Sequence, residues 1–220
     1  MAVFKRLGFI ITLSLLLALF VYAVSGYISA SNDVVELKQK ARALIDNSKG
    51  GQSLGSQRLR LLLRVQDPAF YKHNGVDLKT KGAGLTTVTQ SLAKRLAFEN
   101  FKPGLNKIKQ TTYAMSLEAH MTKDEILALF LDTVPMGNGP EGWVSGFFEA
   151  SQSFYGQAPH ELSDRQFIEL ISVLIAPREL NHIAQNDKFH DRVKRIERLN
   201  QGDCKPLNNN DVWLEGCRSN

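Results

Sequence analysis

The chain opens with a long apolar stretch that carries no charge. After Lys5 and Arg6, no acidic or basic residue occurs before Asp33. A helix needs about 20 apolar residues to cross the hydrocarbon core of a bilayer, so the pattern predicts a transmembrane anchor over residues 7–30. The basic pair predicts that residues 1–6 lie in the cytoplasm and the rest of the chain outside. A cleaved signal peptide is the alternative, although its apolar region is usually only about 7–15 residues long.

Helical periodicity continues after this stretch. Ser31, Asn32 and Asp33 are typical N-cap residues, and the apolar residues behind them recur at helical spacing. We therefore expect a stalk helix followed by a Gly/Ser-rich linker over residues 31–56.

The region from residue 57 to 200 has the pattern of a helical domain. Capping-box sequences at Thr122 and Ser163 predict the start of two of its helices. No sustained alternation of apolar and polar residues occurs, which argues against a large β-sheet. The pattern predicts an all-α domain, followed by an irregular tail over residues 201–220.

Charge and cysteines refine this picture. The chain has 27 basic and 22 acidic residues, a net charge of +5, which favours an anionic partner such as nucleic acid, an anionic membrane or a lipid phosphate. A location outside the cytoplasm argues against nucleic acid. It also predicts that Cys204 and Cys217 form a disulfide in the tail, with two free buried thiols as the alternative.

Three stretches place glycines, hydroxyls, amides and charges inside otherwise apolar patterns. They cover residues 64–77, 82–95 and 107–118. The second opens a helix, whose first turn presents free backbone N–H groups, threonine hydroxyls and Gln90, with Lys94 and Arg95 one turn later. This arrangement is typical of an anion cradle at the positive end of a helix. A threonine N-cap followed by solvated basic residues is the alternative, because such helix starts are common.

In order, these stretches resemble the motifs of the family 51 glycosyltransferases, the peptidoglycan polymerases of penicillin-binding proteins and the monofunctional transglycosylases. The family motif Glu-Asp-x-x-Phe-x-x-His-x-Gly is in register with residues 66–75 at its Asp, Phe, His and Gly. The motif Gly-x-Ser-Thr-x-Thr-Gln-Gln-Leu-x-Lys-Asn is similar to residues 84–95, and Arg-Lys-x-x-Glu to residues 106–110. Further similarity over residues 123–156, at residues 161–163 and at Ala176 and Pro177 extends the resemblance to about residues 57–185.

The resemblance implies a lysozyme-like main lobe with a smaller jaw lobe that faces the membrane. It implies a protein of the bacterial inner membrane with its N-terminus inside and its domain on the periplasmic or outer face. In the family's reaction, the 4-hydroxyl of an acceptor sugar attacks the anomeric carbon of the growing chain, and undecaprenyl pyrophosphate leaves. The implied partners are lipid II or nascent glycan, the membrane, and a penicillin-binding protein or another cell-wall synthase.

Site residues follow from the same resemblance. The glutamate that acts as general base falls on Gln66, and the glutamate that assists the pyrophosphate side falls on Gln110. The implied substrate-binding positions are His73, Thr86, Thr87, Thr89, Gln90, Lys94, Arg95, Lys107 and Lys109. Lysine and arginine suit phosphate oxygens, as a point charge and as a bidentate fork. For each basic residue alone, a solvated helix face is the alternative.

The two glutamines change the expected chemistry. A carboxamide keeps the shape of a carboxylate but does not take up a proton near neutral pH. General-base catalysis contributes about 10²–10⁴-fold to rates. We therefore expect a degenerate member that binds lipid II, glycan or a synthase partner with little or no polymerase activity.

Other functions remain open at this point. One is an active polymerase in which Asp67 substitutes as base, and another is a non-catalytic structural protein of the envelope. A lysozyme-like hydrolase is disfavoured, because glycoside hydrolysis usually needs two carboxylic groups.

No cofactor or metal ligand is expected. Some family members hold a divalent cation at the pyrophosphate through acidic groups, and Gln110 would weaken such a site. The histidines show no paired spacing typical of metal ligands.

Overall fold

A computed structural model of the protein describes residues 2–180, 183 and 185–218, with side chains from residue 4 onward. The all-α prediction is confirmed in this part of the chain, which forms eight α-helices and one short hairpin. The helices are α1 (Ala2–Asp46), α2 (Ser56–Gln66), α3 (Val88–Ala97), α4 (Asn106–His120), α5 (Lys123–Thr133), α6 (Phe147–Tyr155), α7 (Asp164–Ser172) and α8 (Asp187–Gln201). Strands β1 (Pro135–Gly139) and β2 (Gly142–Ser145) pair antiparallel between α5 and α6.

Helix α1 is one continuous helix of 45 residues. It is the one helix in the described residues that is long and apolar enough to cross a membrane. The side chains of residues 4–21 are all exposed. At about 1.5 Å per residue, these residues span about 27 Å, close to the thickness of a bilayer's hydrocarbon core.

The expected helix start at Ser31 is wrong, because α1 runs through it without a break. The polar side chains there make contacts instead of capping a new helix. Ser31 Oγ lies 3.0 Å from Ser116 Oγ, and Asp33 accepts a hydrogen bond of 2.6 Å from the Tyr113 hydroxyl. Burial and the Asp33 carboxylate together raise the pKa of Tyr113.

The second half of α1 is part of the domain core. A stripe of buried residues at helical spacing packs against the domain: Gly26, Ala30, Val34, Leu37 and Ala41. A Cβ atom at Gly26 would lie 2.5 Å from Thr112 Oγ1 and 2.6 Å from the Lys109 carbonyl oxygen. The residues expected to form a stalk therefore pack against the domain. Gly26, at the end of the predicted anchor, lies against α4 at a distance that only glycine permits.

Both predicted capping boxes are present. Thr122 and Glu125 exchange side-chain and backbone hydrogen bonds at the start of α5, as do Ser163 and Gln166 at the start of α7. Helix α5 is central, because every residue from Glu125 to Leu131 is buried. After α8, a disulfide joins Cys204 and Cys217, and the Cys217 side chain is fully buried.

Candidate active site

The two glutamine positions lie on α2 and α4. Gln66 is the last residue of α2 and is half-buried. Gln110 lies on α4 with 1% of its surface exposed. Its Nε2 donates to the backbone carbonyl of Gln90 on α3 at 2.6 Å, and its Oε1 is buried without a hydrogen-bond partner among the described residues. A glutamate carboxylate has no proton to donate to that carbonyl, so the carboxamide makes a bond that the ionised acid would not make.

Asp67 organises the loop after α2. It is completely buried, accepts a hydrogen bond from the backbone N–H of Val88 at 2.9 Å, and contacts His73 Nε2 through both oxygens at 3.0 Å. This carboxylate fastens the start of α3 to the end of α2. Its burial and its filled hydrogen bonds do not fit a substitute base that must reach a sugar hydroxyl.

His73 is used inside the same loop. Its Nδ1 accepts the backbone N–H of Gly75 at 3.1 Å, so the ring proton is on Nε2 and points to Asp67. Both ring nitrogens therefore have partners within the protein. The imidazole holds the loop shape rather than offering a nitrogen to a ligand.

The threonines at the start of α3 divide into two groups. Thr87 is the N-cap: it accepts the N–H of Gln90 and donates to the carbonyl of Gly75 at 2.8 Å. Thr89 donates to a carboxylate oxygen of Glu118 on α4. Both are buried, whereas Thr86 is exposed. Of the three, Thr86 is the one that is open to solvent.

Lys107 joins this loop to α4. Its ammonium group donates to the Leu85 carbonyl at 3.0 Å, to Thr86 Oγ1 at 3.1 Å and to Gln90 Oε1 at 3.3 Å. Burial and the nearby Lys94 lower the pKa of Lys107. The ammonium is thus fixed beside Thr86, the exposed member of the three threonines at the start of α3.

The positive charges of Lys107 and of the neighbouring lysines have no carboxylate partner among the described residues. Lys94 and Lys109 lie over the rings of Phe101 and Phe98, at 5.9 and 5.8 Å from their centroids. Burial and Arg95 lower the pKa of Lys94. In the described part of the chain, no carboxylate lies within ion-pair distance of these two lysines or of Lys107. An anion bound here would relieve the mutual repulsion.

Arg95 does not share this environment. Its Nε donates to Thr133 at 3.0 Å, its Nη1 donates to Ser91 at 2.9 Å, and its guanidinium lies 5.2 Å from the Phe130 ring centroid. Burial lowers its pKa to about 10. The expected bidentate phosphate contact does not fit this packing between α3 and α5.

One supporting pair was not predicted from the sequence. Lys123 forms an ion pair of 2.8 Å with Glu118, donates to the carbonyl of His73 at 2.7 Å, and lies 4.5 Å from the Phe70 ring centroid. The pair connects α4 and α5 to the loop after α2. The sequence signal that could have placed Glu118 at the site is its spacing. It lies eight residues after Gln110, about two turns along the same helix face.

The donor set does not fit a divalent cation. Among the described residues, no group of three or more His, Cys, Asp or Glu side chains lies together as metal ligands would. Gln110 supplies a neutral amide where carboxylates are the preferred ligands of hard cations.

Comparison with known proteins matches most of the chain to one family. The profile described as Transglycosylase matches residues 32–200, from the second half of α1 to α8. Penicillin-binding protein 1A of Clostridium perfringens (strain 13 / Type A) is 30% identical over an alignment of 146 positions, which covers 59% of this chain and 21% of the relative.

Two further relatives are similar over about half of the chain. Penicillin-binding protein 1B of Buchnera aphidicola subsp. Acyrthosiphon pisum is 33% identical over an alignment of 129 positions, which covers 53% of this chain and 17% of the relative. Penicillin-binding protein 1B of Escherichia coli (strain K12) is 29% identical over an alignment of 126 positions, which covers 51% of this chain and 15% of the relative. The aligned region thus spans only about a fifth or less of these relatives. The profile match over most of the chain shows that the protein belongs to the transglycosylase family, the family 51 glycosyltransferases of peptidoglycan synthesis.

Proposed function

We propose that the protein is a membrane-anchored, extracytoplasmic member of this family that binds lipid II or nascent glycan with little or no polymerase activity. The observation that carries this proposal is the buried carboxamide of Gln110, which donates to the Gln90 carbonyl where the family's reaction uses a carboxylate.

The lack of a group that accepts the proton of the attacking hydroxyl supports the proposed loss of polymerase activity. The attacking 4-hydroxyl must give up a proton, and the amide of Gln66 does not accept one near neutral pH. Asp67 is fully buried and bonded to His73 and Val88, so it does not replace the missing base. Loss of general-base catalysis lowers the rate about 10²–10⁴-fold.

The retained positive charge supports binding. Lys107 is fixed beside Thr86, Lys94 lies close enough to lower the pKa of Lys107, and neither has a carboxylate partner among the described residues. Such a group favours the two phosphates of a lipid-linked pyrophosphate, because each ammonium gains a counter-ion.

The position of the anchor supports a lipid-linked ligand. The Tyr22 hydroxyl donates to Asn106 at 2.6 Å, so the first residue of α4 lies next to the end of the exposed apolar segment. Lys107 is therefore close to the level at which a lipid phosphate leaves the bilayer. We propose that the uncharged apolar segment after Arg6 crosses the membrane, with Lys5 and Arg6 on the cytoplasmic side.

Binding of lipid II to the full-length protein in detergent tests the proposal. We expect Lys94→Ala with Lys107→Ala to weaken the affinity at least about tenfold, since each ionic hydrogen bond contributes about 1.5–3 kcal/mol. Lys194→Ala, an exposed lysine on α8, is the control and should leave affinity unchanged. Equal affinity of all three proteins, or no binding by the wild type, would contradict the proposal.

A further inference from the structure

Residues 202–218, which we call the C-terminal clamp, lie beyond the family match that ends at residue 200. This segment is closed by the disulfide between Cys204 and Cys217. Family membership therefore gives it no role, although it is an ordered part of the structure.

Helix α8 holds the clamp from one side. Arg192, Arg195 and Arg198 follow one another at intervals of three residues, and Arg192 is 2% exposed. Their Nη1 atoms donate at 2.8–3.0 Å to the backbone carbonyls of Val212, Trp213, Cys217 and Arg218. Three arginines on one helix face thus bind the returning chain.

Asp211 holds the clamp from within. Its carboxylate accepts the backbone N–H groups of Leu207 at 2.9 Å, Glu215 at 2.6 Å and Gly216 at 3.1 Å. Burial disfavours the charged form, but these three donors outweigh it and lower the pKa of Asp211. The segment therefore has a defined shape of its own.

The tip of the clamp grips the loop before α3. Gly82 N–H donates to the carbonyl of Asn208 at 2.9 Å, and Gly84 N–H donates to the carbonyl of Asn209 at 2.8 Å. The Asn209 side chain donates to the carbonyl of Thr80 at 2.9 Å.

Both glycines suit this contact. Each has a positive φ, +79° for Gly82 and +69° for Gly84, which other residues rarely adopt. A Cβ atom would lie 2.8 Å from Pro206 at the first position and 2.6 Å from Val212 at the second. The loop and the clamp are therefore fitted to each other.

The loop that contacts the clamp, residues 80–84, leads directly into the proposed anion site. The residues after Gly84 are Leu85 and Thr86, and both accept hydrogen bonds from Lys107. The loop is thus held at residues 80–84 by the clamp and at residues 85–86 by α4. We propose that the C-terminal clamp positions Thr86 and Lys107 for anion binding, with Asn209 as its key positioning residue. This inference rests on the proposed binding function.

The test uses the full-length protein in detergent, with inorganic pyrophosphate as the probe and backbone hydrogen exchange as a second readout. Asn209→Asp keeps the shape but loses the donor to Thr80, and Asn209→Ala removes the side chain. Asn210→Ala is the matched control, because its side chain is exposed and makes no side-chain hydrogen bond among the described residues. Cys204→Ser with Cys217→Ser removes the covalent closure of the clamp.

We expect both Asn209 variants to speed exchange across residues 82–90 and to weaken pyrophosphate binding about fivefold, the factor that one hydrogen bond contributes. The double serine variant should show larger changes in both readouts, and Asn210→Ala none. Unchanged exchange at residues 85–90 in the double serine variant would overturn the inference. If the wild type does not bind pyrophosphate, the proposed function fails, and the exchange data alone then decide whether the clamp orders the loop.

Discussion

At the scale of single residues, the two glutamines at the family's glutamate positions differ in how deeply they are buried. Gln110 is enclosed and donates to a backbone carbonyl, whereas Gln66 is half-buried at the end of α2. The identity of both residues is readable from the sequence. The direction of the Gln110 hydrogen bond is not, because its partner Gln90 lies on another helix.

Gln110→Glu tests this difference. A carboxyl group at this position would be desolvated and would face the Gln90 carbonyl oxygen, so its pKa in the folded state should be raised above the unfolded value of about 4.3. The sign follows: no penalty applies below pH 4.3, and the variant loses stability as pH rises through the raised pKa. At pH 7 we expect a loss of about 1–3 kcal/mol in the free energy of unfolding.

Urea unfolding of the variant and wild type at pH 4 and pH 7 measures this penalty. Gln39→Glu, an exposed position on α1, is the control and should show no comparable pH-dependent loss. Equal stability of Gln110→Glu and the wild type at both pH values would show that the buried amide is not required by the fold.

At the scale of secondary-structure elements, features that depend on neighbouring residues are predicted well from the sequence. Features that depend on contacts between distant residues are not. The capping boxes at Thr122 and Ser163 are confirmed because every partner lies within three residues. The helix start expected at Ser31 is wrong because its partner Ser116 is 85 residues away. For the same reason the sequence did not reveal that Asp67 is bonded to Val88.

The short hairpin of β1 and β2 was also not predicted. It has strands of five and four residues with three glycines at Gly137, Gly139 and Gly142, so it shows little of the alternation that identifies a strand.

The contact between α1 and α4 makes its own prediction. Gly26→Ala would place a Cβ atom within 2.6 Å of both Thr112 and Lys109 and push the helices apart. Overpacking of this kind typically costs about 1–3 kcal/mol. We expect faster hydrogen exchange over α4, measured by mass spectrometry in detergent. Ser25→Ala, an exposed neighbour, should exchange like the wild type; identical exchange in both variants would rule out a tight contact at residue 26.

At the scale of the whole molecule, one long helix joins the exposed apolar segment to the site. Its first half is exposed and apolar, and its second half packs against α4, which carries Lys107, Lys109 and Gln110. The order of motifs in the sequence was sufficient to identify the family and the all-α fold. It was not sufficient to show that residues 31–46 belong to the domain core. The apolar face of this helix is visible in the sequence, but the element that packs against it is not.

The most direct test of this account is a polymerisation assay with labelled lipid II. The wild type is compared with Gln66→Glu, Gln110→Glu and the double variant, and glycan strands are separated by gel electrophoresis. We predict no strands from the wild type and strands from the double variant, because it regains both carboxyl groups in a site that still binds the substrate. Processive polymerisation by the wild-type protein would contradict the central claim that its site binds without turnover.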